Sequence, residues 1–422
     1  MLNEVKSRFL SGKIFVVAVI AFLMLNSSLF ILNSGAQWVQ MCNGIENQNV
    51  TSMVASGNNI FVGTDSLNLY GNVYISTNNG TNWSKTNFPS QPVWSLAVIG
   101  TNILAGTAGG GILYSSNNGN TWNVSSLTGK VICSFTVLGN NIFTGAVEFG
   151  VYMSTNYGVN WSIVNFLWHT VYALTTHGNN IFAGNSYIGV FKSNDNGSNW
   201  TQTTLDSATV RSFTVIGNNI FAGTIPNFTV NNSGVFLSTN DGTSWSQTSL
   251  TNKSVYSLAS SGNTIFAGTD SSGVYLSNNN GVNWFQRNQG LNTSSTISSF
   301  LITNNYMFAG TYGNSVWRRQ LSEIIGIQNI STEIPSKYSL GQNYPNPFNP
   351  RTAISLCLPV VSFVSLKVYD VMGREVQTLV NEKLQQGAFE VTFDGSNLNS
   401  GVYFYKLVTD GYSETKRMLL VR

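Results

Sequence analysis

Between residues 50 and 317, short apolar stretches alternate with polar turns in a pattern that recurs about every 40 residues. An eight-residue box, S-T-N-N-G-T-N-W at residues 76–83, returns at a spacing of 39 residues, or 45 in one case. Its Asn-Gly or Asp-Gly step supplies the positive φ of a tight turn, so the box predicts a β-hairpin corner. The Trp that closes each box begins the next strand and is large enough to pack between neighbouring sheets. The six box tryptophans are Trp83, Trp122, Trp161, Trp200, Trp245 and Trp284.

Each repeat predicts four short strands. An apolar inner strand, such as residues 93–99, precedes a G-N-N-I-F-x-G-T segment, such as residues 217–224. A third strand, such as residues 150–154, and the strand opened by the box Trp follow. Four strands in about 40 residues is the pattern of one blade of a β-propeller.

The two ends of the repeat region complement each other. The G-N-N-type segment occurs seven times but the full box only six, and the seventh unit stops at Val316 and Trp317. Residues 37–42 begin Gln-Trp-Val, like the opening of a fourth strand. We therefore predict an all-β fold with a seven-bladed β-propeller over residues 37–318, closed by the N-terminal strand. An open solenoid is the alternative.

Residues 319–336 are predicted to be a linker, and residues 337–422 a small second domain. Alternating apolar and polar residues there indicate strands, and Gly-containing turns separate them. The pattern predicts a small immunoglobulin-like β-sandwich. The predicted strands span residues 352–356, 365–370, 375–379, 388–393, 402–409 and 415–421.

Composition and charge narrow the function classes. Charged residues make up only 9% of the 422 residues, and the formal net charge is +3. Residues 37–319 hold eight Lys or Arg and seven Asp or Glu, with no basic cluster. This balance argues against a nucleic-acid partner.

The first 36 residues are predicted to be a secretory signal peptide. Lys6, Arg8 and Lys13 precede an apolar run over residues 14–25, and small residues at 34–36 fit a cleavage site. Cleavage there leaves no stable transmembrane segment. An uncleaved membrane anchor is the alternative, although polar residues 26–28 interrupt the apolar run.

The three cysteines, Cys42, Cys133 and Cys357, show no disulfide framework. Buried free thiols and a Cys42–Cys133 bridge both remain open. The sequence has no C-x-x-C motif, and its only histidines are His169 and His177, so we expect neither a zinc site nor a cofactor.

The boxes resemble Asp-box (BNR) repeats, known from sialidase-like and photosystem II assembly-factor-like propellers. The family pattern is S-x-D-x-G-x-x-W, whereas here the third position is Asn in five boxes and Asp only at Asp195. The resemblance implies a propeller over residues 37–318 with the boxes at structural corners. It implies no particular activity, because one fold serves many functions.

The tail closely resembles the type A sorting domain of the type IX secretion system. The matching stretches are Y-P-N-P-F-N-P at 344–350, V-Y-D-V-M-G-R-E-V at 368–376, L-N-S-G-V-Y-F-Y-K-L at 398–407 and K-R-M-L-L at 416–420. This resemblance implies that the type IX machinery of a Bacteroidetes-like bacterium exports the protein through the periplasm. It also implies removal of the tail from about residue 337 onward, with release or surface attachment. An ordinary immunoglobulin-like module that stays on the protein is the alternative.

One position in the inner strands stands out when the repeats are aligned on the following G-N-N. Two extended loops, at residues 65–72 and 225–233, fall on the same predicted face of the ring. Longer loops are often found on the binding face of a protein. Trp94, Tyr172, Arg211 and Tyr256, with Trp168 and His169 just upstream of Tyr172, are therefore candidates for binding a glycan or protein. Packing of these side chains between blades near the axis is the alternative. The seven aligned residues are Thr51, Trp94, Cys133, Tyr172, Arg211, Tyr256 and Ser298.

Catalysis finds little support in the sequence. A sialidase needs several arginines, and residues 37–317 of the predicted propeller hold only Arg211 and Arg287. A glycosidase needs two carboxyl groups across one cleft. Asp65, Glu148 and Asp270 fall in loops of the candidate face, so a glycoside hydrolase is the alternative to a non-catalytic binding module.

Overall fold

A computed structural model describes residues 37–66, 70–164, 169–227, 232–331, 334–384, 386–396 and 398–422. The predicted signal peptide and Trp168 lie outside these residues. The described chain is built from strands, with one short helix, α1 (Leu321–Ile325). The predicted all-β class is therefore confirmed.

Residues 39–320 contain seven four-stranded antiparallel sheets among the described residues. In the first six sheets the strands follow one another from the inner to the outer edge in chain order, so each sheet is one repeat unit. Neighbouring inner strands lie against one another. The strands of these six sheets are β2 (Asn49–Ser56), β3 (Asn59–Asp65), β4 (Val73–Ser76), β5 (Ser84–Lys85); β6 (Val93–Ile99), β7 (Asn102–Thr107), β8 (Ile112–Ser115), β9 (Asn123–Val124); β10 (Ile132–Leu138), β11 (Asn141–Ala146), β12 (Gly150–Ser154), β13 (Ser162–Ile163); β14 (Val171–His177), β15 (Asn180–Asn185), β16 (Val190–Ser193), β17 (Thr201–Gln202); β18 (Thr209–Ile216), β19 (Asn219–Ile225), β20 (Gly234–Ser238), β21 (Ser246–Thr251); and β22 (Val255–Ser261), β23 (Thr264–Thr269), β24 (Val274–Ser277), β25 (Phe285–Gln286).

The seventh sheet joins the two ends of the repeat region. Its order is β26 (Ile297–Ile302), β27 (Tyr306–Thr311), β28 (Val316–Gln320) and then β1 (Val39–Gln40) from the N-terminus. Val39 pairs with Arg318, as predicted for residues 37–42, and β26 lies against β2. Pairing of the first strand with the last sheet ties the two ends of the repeat region together and closes the ring.

Each box forms its corner through the same hydrogen bonds. In the first box the Ser76 hydroxyl accepts the Gly80 N–H at 2.8 Å and donates to the Asn78 side-chain oxygen at 3.0 Å. That oxygen accepts the Asn82 N–H at 2.9 Å. The other five boxes repeat the bonds, with Asp195 in place of Asn in the fourth. Asn therefore replaces the family Asp without loss of the turn, because both side chains offer the same acceptor.

The box tryptophans lie between consecutive sheets, as predicted. Trp83, 5% exposed, packs with Phe308 and Val316 of the seventh sheet and donates its indole N–H to the Met41 carbonyl at 2.9 Å. The other five are half-buried, and each contacts a cluster formed by its own sheet and the preceding one.

The glycine of the G-T step allows the sheets to approach closely. A Cβ on Gly310 would lie 2.4 Å from the Val50 Cγ1, across the junction between the last and first sheets. A Cβ on the equivalent glycine of each other unit would lie 2.5–2.7 Å from a β-branched residue, the first or second of the next inner strand. This contact explains why the motif carries Gly in mid-strand, where it otherwise weakens a sheet.

The tail consists of two four-stranded sheets around one hydrophobic cluster. Ile327–Ser331 pairs with the tail strand Gly387–Asp394. The predicted linker 319–336 therefore differs from the structure: its first residues end β28, the next form α1, and residues 327–331 belong to the tail. The tail sheets are β29 (Ile327–Ser331), β34 (Gly387–Asp394), β31 (Arg351–Leu358), β30 (Ser339–Leu340); and β33 (Glu375–Leu384), β32 (Ser362–Tyr369), β35 (Gly401–Val408), β36 (Ser413–Leu420).

Candidate functional site

The seven aligned inner-strand residues meet in one cavity of about 490 Å³ at the centre of the ring. Four of the six candidate binding residues, Trp94, Tyr172, Arg211 and Tyr256, line it. Asn49, Asp65 and Tyr312 complete the described lining. The repeat alignment thus identified a set of residues that the fold brings together from seven separate sheets.

A shared irregularity of the inner strands places these residues. In every inner strand the register with the second strand shifts at the aligned position, for example between Val210 and Ser212, which leaves Arg211 without a partner across the ladder. The same shift brackets the other six residues. A β-bulge redirects the extra residue away from the sheet, and here the seven redirected side chains line the axis.

Arg211 is held between two tyrosine rings. Its guanidinium carbon lies 4.3 Å from the Tyr172 ring centroid and 5.4 Å from that of Tyr256. These distances are those of cation–π contacts, which fix the plane of the guanidinium. Within the described part of the chain, Arg211 makes neither a hydrogen bond nor an ion pair.

The opposite side of the cavity carries an acidic group. The Trp94 indole N–H donates to a carboxylate oxygen of Asp65 at 3.3 Å. The Thr51 hydroxyl is bonded to backbone carbonyls of Gly63 at 3.0 Å and Val93 at 2.5 Å, and the Ser298 hydroxyl bonds to the backbone in the same way. The cavity is thus positive on the side of the fourth to sixth sheets and negative on the side of the first and second.

Cys133 lies in the cavity as a neutral thiol. Burial raises its pKa to about 12, and the nearby Arg211 charge offsets only part of this effect. A thiol with so high a pKa is a poor nucleophile at neutral pH. All three cysteines are free, so the structure has no Cys42–Cys133 bridge.

His169 does not contribute to the cavity. Its ring is exposed and stacks on Phe191 with centroids 6.1 Å apart, outside the cavity lining. A role of His169 in ligand binding stays a prediction. Trp168 lies outside the described residues. Of the three candidate carboxylates, Asp65 lines the cavity, while Glu148 and Asp270 are exposed outside its lining.

Sequence reasoning did not select Asn49 and Tyr312, and named Asp65 only as a loop carboxylate. Asp65 and Tyr312 each directly follow the G-T step of their unit, so they occupy equivalent positions in the first and seventh repeats. A comparison of the residue after the G-T step across the seven repeats would have drawn attention to Asp65 and Tyr312.

No group of three His, Cys, Asp or Glu residues in the described ranges could hold a metal ion. No helix formed by these residues is long and apolar enough to cross a membrane.

Two domain families match the sequence. The DUF6242 beta propeller domain matches residues 4–132, and the secretion system C-terminal sorting domain matches residues 342–421. A search among curated protein sequences finds no similar one.

Solved structures similar to this chain include propellers. YCF48 from Cyanidioschyzon merolae is 13% identical, with a TM-score of 0.53 over 68% of this chain and 98% of that one. YCF48 bound to D1 peptide is 14% identical, with a TM-score of 0.52 over 68% and 96%. An ancestral GH74 enzyme is 18% identical, with a TM-score of 0.53 over 92% of this chain and 63% of the enzyme. At these identities the likeness establishes the fold alone.

The family matches and the fold agree on both parts of the chain, and a sorting domain of this kind directs export to the cell surface or the extracellular space. The protein is a secreted β-propeller with a C-terminal sorting domain of the type IX secretion system.

Proposed function

We propose that the propeller is a non-catalytic binding module that recognises a protein or a glycan in its axial cavity. The observation that carries this proposal is the convergence of seven bulge residues of different chemistry in a repeat that is otherwise uniform. Concave sites with aromatic walls and a few polar groups are the usual form of a ligand site.

Two further observations support binding over hydrolysis. A glycosidase places two carboxyl groups roughly 5–10 Å apart across the bond that it cleaves, whereas Asp65 is the one carboxylate among the described residues of the cavity lining. Binding of a ligand by a propeller of this fold also has a precedent, because a YCF48 structure contains a bound D1 peptide.

The proposal is tested by screening the full chain on glycan and peptide arrays and on a panel of chromogenic glycosides. Trp94→Ala truncates an aromatic wall of the cavity, and truncation of a central aromatic contact weakens binding by roughly 30-fold or more. Tyr157→Ala is the matched control, because Tyr157 is an exposed aromatic residue, 66% exposed, in a box turn outside the cavity lining.

We expect array binding that Trp94→Ala abolishes and Tyr157→Ala retains, with no glycoside turnover. Binding that both variants retain would place the ligand elsewhere on the molecule. Turnover that Asp65→Asn abolishes would favour the hydrolase.

A further inference from the structure

We infer that the axial cavity binds a carboxylate of a polypeptide, either an acidic side chain or the C-terminal group, through the guanidinium of Arg211. This inference rests on the proposed function and specifies the ligand class. Its basis is the set of hydrogen-bond donors in the cavity: those of Arg211 are available to a ligand, whereas those of Thr51 and Ser298 are already used.

Arg211 retains its hydrogen-bonding capacity. A guanidinium has five N–H donors in a planar fork that matches a carboxylate with two parallel bonds. Tyr172 and Tyr256 hold this fork by their ring faces, 4.3 Å and 5.4 Å from the guanidinium carbon. Stacking orients a guanidinium without consuming its in-plane donors.

The same stacking argues against a neutral sugar. Sugars pack on open aromatic faces, but Arg211 covers a face of Tyr172 and a face of Tyr256. The Thr51 and Ser298 hydroxyls donate to backbone carbonyls and so have no donor left for a ligand. A neutral sugar in the cavity would also displace water from Arg211 without supplying an opposite charge, and burying an unpaired charge is unfavourable.

The acidic side of the cavity disfavours a ligand that carries more than one negative charge. Asp65 carries the second charge in the lining and accepts the Trp94 indole N–H. A peptide that presents one carboxylate to Arg211 and its uncharged backbone toward Asp65 carries no second negative charge. A second negative charge on the ligand would instead meet Asp65.

The experiment measures binding of small probes to the full chain by isothermal titration and ligand-observed NMR. The probes are N-acetyl-glutamate α-amide, its neutral isostere N-acetyl-glutamine α-amide, acetyl-triglycine with a free C-terminus, its C-terminal amide, and glucuronic acid. We expect each peptide carboxylate to bind about 10- to 100-fold more tightly than its neutral partner, the range for a charge-assisted hydrogen bond in a desolvated site.

Arg211→Gln should remove this preference. Arg318→Gln is the matched control, because the Arg318 guanidinium also lies over a tyrosine ring, that of Tyr306 at 4.5 Å, but outside the cavity. Tyr172→Leu should weaken carboxylate binding, whereas Tyr172→Phe, which keeps the ring face, should retain most of it. The thermal midpoint of each variant shows whether it is folded.

Equal binding of acidic and neutral peptide probes, absence of binding by every peptide probe, or a preference that survives Arg211→Gln would overturn the inference. Binding of glucuronic acid without binding of any peptide carboxylate would overturn it in favour of an acidic glycan. A neutral array ligand that depends on Trp94 but not on Arg211 would leave the proposed function intact while this inference fails.

Discussion

Truncation of Trp38 is the sharpest test of ring closure. Trp38 precedes β1, is only 2% exposed, and packs with residues of the sixth and seventh sheets. Its indole N–H donates to the Arg287 carbonyl at 2.6 Å, and its backbone N–H donates to the Gln289 carbonyl at 2.7 Å. One side chain therefore anchors the N-terminal strand to the end of the repeat.

Trp38→Ala removes the ring and its hydrogen bond and leaves a cavity. Truncation of a buried Trp costs about 3–5 kcal/mol. At about 2–4 °C per kcal/mol for a large domain, the thermal midpoint should fall by roughly 6–20 °C. Trp38→Phe keeps most of the packing and should lose much less, mainly the indole hydrogen bond of about 1 kcal/mol.

The assay is thermal unfolding of the full chain, followed by far-UV circular dichroism. Val124→Ala is the control, because Val124 lies in an outer strand but is 62% exposed, and substitutions at such sites usually change stability by less than about 0.5 kcal/mol. Deletion of residues 37–44 should lower the midpoint further still. A Trp38→Ala protein that melts with the wild type would refute the reasoning, since the closing strand would then contribute nothing to the fold.

Three further outcomes follow from the structure. Gly310→Ala places a Cβ 2.4 Å from Val50 and should cost about 1–3 kcal/mol in chemical denaturation, whereas Gly411→Ala, with open space around it, should be neutral. Burial raises the pKa of Asp241, but hydrogen bonds from Lys192 and a neighbouring histidine outweigh it and hold the pKa below its usual value. Asp241→Asn should therefore lower the thermal midpoint at pH 7, and the difference should shrink as the pH falls below the usual carboxyl range and through the lowered pKa of the folded wild type. A difference that stays constant with pH would contradict this. Cys133 should resist iodoacetamide at pH 8 in the folded protein, while thiol titration in denaturant should count three free thiols; two missing thiols would indicate a disulfide.

The repeat made the propeller predictable from the sequence. The period fixed the four-stranded unit, and the box residues Ser76, Asn78 and Gly80 make the turn that their spacing indicates. The G-N-N-type segment occurs seven times but the full box only six, so the last sheet needed a strand from elsewhere. The N-terminal residues supply it, with Val39 paired to Arg318. Local turn chemistry decides these features, so the sequence carries them directly.

The site was predictable only in part. Alignment selected the bulge residues, because an irregular position in a uniform repeat is visible without a structure. It did not show that Tyr172 and Tyr256 hold Arg211 between them, since that contact depends on how bulges in three different sheets turn toward one axis. His169 was included for its closeness in sequence to Tyr172, but its ring packs on Phe191 instead.

The boundary between the propeller and the tail was not predictable from the sequence. Residues 327–331 have the composition of a linker, yet they pair with Gly387–Asp394 some 60 residues later. A short strand with a distant partner leaves little local pattern, which is why the junction was assigned to a linker. Removal of the tail from about residue 337 would separate this strand from its sheet, and intact-mass measurement of the exported protein would show whether that happens.

The most direct measurement is a structure of the protein with its strongest array ligand bound. The account predicts the ligand in the axial cavity, against Trp94 and within hydrogen-bonding distance of Arg211. A ligand bound at the box turns, along an outer strand or on the tail, with the cavity unchanged, would contradict it.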